Sequence, residues 1–273
     1  RIDWLLTPAC ADLVGHHPAL TNVVLFDRRE LAKAWRKPAA AAELLGLLRR
    51  LRAARYDLVI DLQGLLQGAV FTVATGAPVR IGFDRRAPPG FLARERVEGA
   101  RRPPWTGARE GAWLAYSHRI PIPTSEGHSI ERYLRLGRVL GMAEDSPDLR
   151  LPVRPDAEAA VEATLERLGL HRRPIAVLFP GAGWRTKAWR AGGFAAVARH
   201  LDSTGRAVVL AGSAGDRAAC RGVAERFGGA HDLSGRTSMS EAAALVARAD
   251  VCVANESGPA HLAVALGRPL VSI

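Results

Sequence analysis

Cysteine, lysine and aromatic residues are all scarce in this 273-residue chain, and each scarcity excludes something. The three cysteines, Cys10, Cys220 and Cys252, are odd in number, far apart and without metal-ligand spacing. That argues against a disulfide framework and a metal site, and for a reducing compartment. No apolar run reaches the length of a membrane-spanning helix, and no signal-peptide pattern opens the sequence. The expectation is a cytosolic chain. Aromatics make up only 6% of residues, few for a module that binds nucleic acid by stacking bases.

What is present suits packed α/β layers: 48% hydrophobic residues and 27 glycines, in a chain long enough for one large or two medium domains. The balance of 38 Lys+Arg against 27 Asp+Glu leaves a formal charge of +11. Such a surplus favours anionic partners such as nucleic acid, phosphorylated metabolites or an acidic membrane surface; it also serves solubility alone. Nearly all of it is arginine, because Lys33, Lys37 and Lys187 are the only lysines.

Strand and helix patterns alternate along the chain. Apolar strands are expected at 2–6, 20–27, 56–64 and 79–84, with leucines at helical spacing over 39–56 and a helix over 125–141. Residues 84–107, rich in Arg, Pro and Gly, read as a loop, and three prolines in 144–156 mark a linker. Beyond it come helix 156–168, strand 174–180, helix 191–202, strand 207–213, helices 214–227 and 238–249, and the apolar run that opens "VCVANESGPAHLAVALG" at 251. Continuous Val/Ile/Leu strands between helices predict parallel sheets covered on both faces. The division expected is 1–148 and 149–273, two doubly wound domains with a cleft between them. Ligands of such sheets sit beyond the carboxyl ends of the strands, here just after 180, 213 and 254.

Three segments fall there. "GAGWRTKAW" (181–189) is neither a Walker A loop, since Ala188 replaces its Ser/Thr, nor a full dinucleotide fingerprint, since Thr186 replaces the third glycine. Gly181 and Gly183 with Thr186 and Lys187 would suit a pyrophosphate, where a mobile ammonium serves a departing group; a solvated surface lysine is the bland alternative. Asp216 in "AGSAGDR" either accepts from a ribose or favours the first turn of its helix. In "NESGPAH", Glu256 and Ser257 protrude from a strand tip, Gly258 permits close approach, and Pro259 opens a helix aimed at an anion. His261 lies one turn inside; alone it would read as structural. In the first half, Arg28, Arg29, Lys33, Arg36 and Lys37 surround Trp35, and Arg80, Arg85 and Arg86 add to them. They form either a solvated basic face or a dock for a polyanion.

The segments "KAWRKP", "YDLVIDLQGLLQGAV", "HSIERYLRLG", "GAGWRTKAW" and "ANESGPAHLAVALGRPLV" together resemble the family 9 glycosyltransferases along the whole chain, nearest their heptosyltransferase I branch. The resemblance implies a GT-B architecture of two Rossmann-like domains with parallel sheets facing a central cleft. It implies inverting transfer of L-glycero-D-manno-heptose from ADP-heptose to the Kdo of the lipopolysaccharide inner core, with no cofactor and no metal. Carried over residue by residue, the donor site is Gly181, Gly183, Thr186, Lys187, Asp216, Thr237, Glu256, Ser257, Gly258 and His261. Lys187 stabilises the leaving group and Thr237 meets the adenine side. Trp35, Arg36, Lys37, Gln63, Arg80 and His128 would meet the anionic Kdo-lipid A acceptor, with the protein peripheral at the cytoplasmic face of the inner membrane.

The chain departs from the family pattern in two ways. Glu256 stands where the family has Asp. The family's first strand and the Asp-bearing loop that supplies the presumed base have no counterpart after Arg1, and the family's terminal helices have none after Ile273. Residues 1–273 alone are therefore expected to bind donor weakly without turnover. A different family 9 enzyme or a GT-B nucleotide-sugar enzyme is the near rival. A basic nucleic-acid module is the remote one, disfavoured because only Trp35 lies among the basic residues.

Overall fold

The structure is a computed structural model that describes residues 1–85, 107–122, 129–142 and 151–273. In chain order its strands and helices are β1 (Asp3–Leu6), α1 (Pro8–Val14), β2 (Asn22–Leu25), α2 (Arg28–Leu31), α3 (Pro38–Ala53), β3 (Leu58–Asp61), α4 (Leu66–Thr75), β4 (Val79–Phe83), β5 (His118–Ile120), α5 (Ser129–Val139), α6 (Pro155–Arg167), β6 (Ile175–Phe179), α7 (Ala191–Ser203), β7 (Ala207–Leu210), α8 (Arg217–Phe227), β8 (His231–Asp232), α9 (Met239–Arg248), β9 (Val251–Ala254), α10 (Gly258–Ala265) and β10 (Leu270–Ser272). They divide into two compact units: Arg1–Phe26 with Asp148–Ile273, and Asp27–Pro147. The first 26 residues pack with the second half of the chain, where the sequence reading sets 1–148 apart.

The larger unit is built on a five-stranded sheet ordered β10-β9-β6-β7-β8, parallel at every pairing. Strand β6 shows why its sequence reads as an unbroken apolar run. Ile175, Val177 and Phe179 face one core with Leu165, Leu245 and Ala263 from α6, α9 and α10. Ala176 and Leu178 face another with Phe194 and Val223 from α7 and α8. Both faces are covered, so alternation is lost. Each fully buried Val, Leu, Ile or Phe contributes about 1.5–3 kcal/mol of transfer free energy. The same unit carries the parallel pair β1-β2. Helix α1 docks on α9, where the Asp12 carboxylate accepts from Ser240 N at 2.8 Å and Ser240 Oγ donates to the Asp12 carbonyl. His16 meets the Pro152 carbonyl at 3.1 Å.

The smaller unit has a three-stranded parallel sheet, β3-β4-β5. Helix α3 turns Ala40, Leu47 and Leu51 inward, as its leucine spacing predicts. At the end of β3, Asp61 is only 5% exposed. Its Oδ1 accepts from Gln63 N and Gly64 N, and its Oδ2 accepts from Tyr116 Oη at 2.7 Å. Burial, and then this bond to Asp61, push the Tyr116 hydroxyl well above its ordinary range, so it remains a donor.

Sequence periodicity finds α3, α5 to α9 and the main strands to within a few residues. It does not find α1, α2, α4, β5, β8 or β10. The region 214–227, read as one helix, is a short 3-10 turn (Ala214–Asp216) followed by α8. No described helix is long and apolar enough to cross a membrane. The three cysteines are free thiols, Cys10 exposed and the other two buried.

Candidate functional site

In the five-stranded sheet every strand points the same way, so the loops after β6, β7, β8 and β9 all leave from one edge of it. These loops carry the residues singled out in the sequence. After β6, residues 181–184 lead into a 3-10 turn, Arg185–Lys187. After β9, Asn255 and Glu256 precede the N-cap of α10, Ser257. The two neighbouring tips meet directly: Lys187 Nζ lies 2.9 Å from Glu256 Oε2. The ammonium holds the Glu256 carboxyl below the usual glutamate value, and the nearby His261 ring adds a smaller pull in the same direction. Lys187 and Glu256 therefore share one patch of surface, with His261 exposed in the first turn of α10 that follows.

Beneath that contact sits a residue the sequence reading left without a role. Asn255 is completely buried. Its Oδ1 accepts from Trp189 N at 3.0 Å, and its Nδ2 donates to the carbonyls of Pro180 at 2.8 Å and Gly181 at 3.1 Å. One amide thus clamps both ends of the 181–189 loop to the tip of β9. The available signal was a polar residue ending a buried apolar strand, which must find partners.

The glycines divide by role. A Cβ on Gly181 would collide with the Asp216 carboxylate, so Gly181 is needed for packing between the tips of β6 and β7. A Cβ on Gly183 or Gly258 would meet nothing within 4 Å, leaving their main chain open to approach. Asp216 Oδ2 accepts from both N and Oγ of Ser213, closing a capping box around the 3-10 turn. Thr186 is exposed beside Lys187. Thr237 lies past β8, following a loop whose Gly235 N donates to the Gly212 carbonyl, and it lines a cavity of about 320 Å³ with Val161, Leu168, Leu233 and Arg236.

Helix α10 begins at Gly258, which puts Pro259 at its second position. The Ser257 hydroxyl makes no capping bond; it donates to the Asn255 carbonyl at 3.0 Å, so the first-turn N–H groups receive no side-chain cap from it.

In the smaller unit the expected acceptor residues have different surroundings. Trp35 is 73% exposed, with the Arg36 guanidinium 3.9 Å above its ring, and Lys37 is exposed beside them as the N-cap of α3. Gln63 is exposed in the turn that Asp61 organises. The Arg80 guanidinium donates to the carbonyls of Ala115 and Ala77, tying β4 to the segment before β5. His128 and Arg86 lie outside the described residues. Among the described residues, no group of three His, Cys, Asp or Glu is placed to hold a metal ion.

Comparison with known proteins agrees with this architecture. Over its full length the chain is 29% identical to lipopolysaccharide heptosyltransferase 1 of Pseudomonas aeruginosa, covering 69% of that protein. It is also 29% identical to lipopolysaccharide heptosyltransferase 2 of Escherichia coli K12, over 82% of this chain and 61% of the relative. The solved structure of E. coli heptosyltransferase WaaC with ADP superimposes with a TM-score of 0.71 at 24% identity, covering 99% of this chain and 76% of that one. The fold is the GT-B class expected from the sequence. The sequence profile of glycosyltransferase family 9 (heptosyltransferase) matches residues 44–103 and 95–273. The chain belongs to glycosyltransferase family 9.

Proposed function

We propose that the chain transfers L-glycero-D-manno-heptose from ADP-heptose to the Kdo of the lipopolysaccharide inner core, with inversion at the anomeric carbon. The observation that carries this reading is the Lys187–Glu256 contact at neighbouring strand tips, over a main chain kept open at Gly183 and Gly258. An acceptor hydroxyl gives its proton to a carboxylate base as its oxygen attacks the anomeric carbon on the face opposite the leaving ADP, and the diphosphate gains charge as the bond breaks. Lys187 and the N–H groups of the Ser257–Gly258 turn and of α10 supply stabilisation where that charge develops. Thr186 lies beside the diphosphate, Asp216 on the ribose side and Thr237 toward the adenine. Glu256 and His261 border the sugar.

On the acceptor side, the exposed Trp35–Arg36–Lys37 cluster suits an anionic lipid-linked saccharide at a membrane surface, with Gln63 as a further polar contact. Arg80 holds two carbonyls with part of its guanidinium and stands on the acceptor side with its remaining N–H donors. A second reading, heptose transfer at another step of core assembly, is favoured by the equal 29% identity to heptosyltransferases 1 and 2.

Calorimetric competition tests the donor: ADP should displace an ADP-sugar analogue and UDP should not. For the reaction, measured in a form of the enzyme that turns over, Lys187→Ala should lower the transfer rate about a hundredfold or more with an unchanged melting temperature, as the loss of one preorganised charge-stabilising donor does. Unaltered kinetics would overturn the assignment. Offering Kdo-lipid A beside an acceptor already carrying heptose separates the two readings.

A further inference from the structure

We infer that Glu256 is a built-in competitor of the donor diphosphate for Lys187, so that donor entry must open the ion pair; this rests on the donor-site reading above. Among the described residues, Glu256 is the one ionic partner of the Lys187 ammonium, at 2.9 Å. The side chains are 44% and 69% exposed, which makes the pair hydrated and easily exchanged, with an effect of up to about fivefold in an equilibrium constant. The main chain under both is fixed. Lys187 N donates to the Trp184 carbonyl, Glu256 N donates to the Ile273 carbonyl, and Asn255 binds the two loops together. Only the side chains are left to move.

A diphosphate offers more negative charge and more acceptor oxygens than one solvated carboxylate, so it is the stronger partner for an ammonium. The contact also depends on length. Aspartate on the same backbone would carry its carboxylate one methylene, about 1.5 Å, further from Lys187, beyond hydrogen-bonding distance. Glu256 thus holds the ammonium in place at the strand tips before donor arrives, and weakens donor binding by the strength of that hold. It acts through Lys187 as a positioning residue.

The test is calorimetric titration of the 273-residue chain with ADP at fixed ionic strength. The forms compared are wild type, Glu256→Gln, Glu256→Asp, Lys187→Ala and the Lys187→Ala/Glu256→Gln double variant; exposure of both side chains predicts that all melt alike. Glu256→Gln should tighten ADP about two- to fivefold. Glu256→Asp should shift affinity the same way by less. In the Lys187→Ala background Glu256→Gln should change nothing. A gain that persists without Lys187 would mean plain charge repulsion and overturn the inference. So would ADP affinity that depends on Lys187 but is indifferent to Glu256. Absence of ADP binding in every form overturns the donor-site reading and this inference with it.

Discussion

An oxygen in place of the Asn255 Nδ2 would face the carbonyls of Pro180 and Gly181 instead of donating to them. Asn255→Asp keeps the bond from Trp189 N and sets like partial charges against each other in a fully buried site. An unpaired buried polar group costs about 1–3 kcal/mol. Thermal melts should show a loss of at least that size, and ADP affinity should fall with it because the 181–189 loop loses its clamp. A variant with wild-type stability would show that the loop is held by other means. Residues differ in how legible they are. Lys187 and Glu256 stand out through residue type and position after apolar strands. Asn255 is visible in the same motif, but its partners are main-chain atoms 74 and 75 positions away, which no local pattern reveals. Gly181 is legible as a needed glycine for a different reason: its neighbour is the Asp216 side chain from the next strand tip.

Elements were legible where burial leaves a period. Helix α3 presents leucines on one side, and β6, β7 and β9 are unbroken apolar runs between helices. Helix α4, LQGAVFTVAT, is apolar nearly all round, so it offers no polar face to mark its phase. Strand β8 has two residues, His231 and Asp232, and β5 has three; both are defined by pairing with a neighbour and not by composition. The β3–α4 connection depends on one buried carboxylate. Asp61→Ala removes the acceptor for Gln63 N and Gly64 N and leaves the Tyr116 hydroxyl buried without it, a cost of about 2–4 kcal/mol. Tyr116→Phe should cost about 1 kcal/mol, since Asp61 keeps its two N–H donors. Native-state hydrogen exchange resolves the effect: amides of β3, β4 and β5 should exchange faster while those of β6, β7 and β9 do not. Equal acceleration in both sets would refute a local role.

At the scale of the molecule, the allegiance of the first 26 residues to the second half of the chain is not legible in the sequence, because it rests on pairings across most of its length. Asp12 carries much of that docking. It caps Ser240 near the start of α9, where a negative charge is favoured, and lies 3.5 Å from Arg154. Asp12→Ala should free α1 and speed proteolytic cleavage within residues 1–26 several-fold, with the remaining unit melting within a few degrees of wild type. Unchanged cleavage would place the hold elsewhere, in the Leu13 contact with the core. Those 228 positions between Asp12 and Ser240 also set an order of events during synthesis. The opening helix emerges from the ribosome long before its binding surface exists, while Asp27–Pro147 follows as a contiguous segment able to condense first. Entropy of closing so long a loop grows only logarithmically with length, so the late docking is slow to be found yet thermodynamically little penalised.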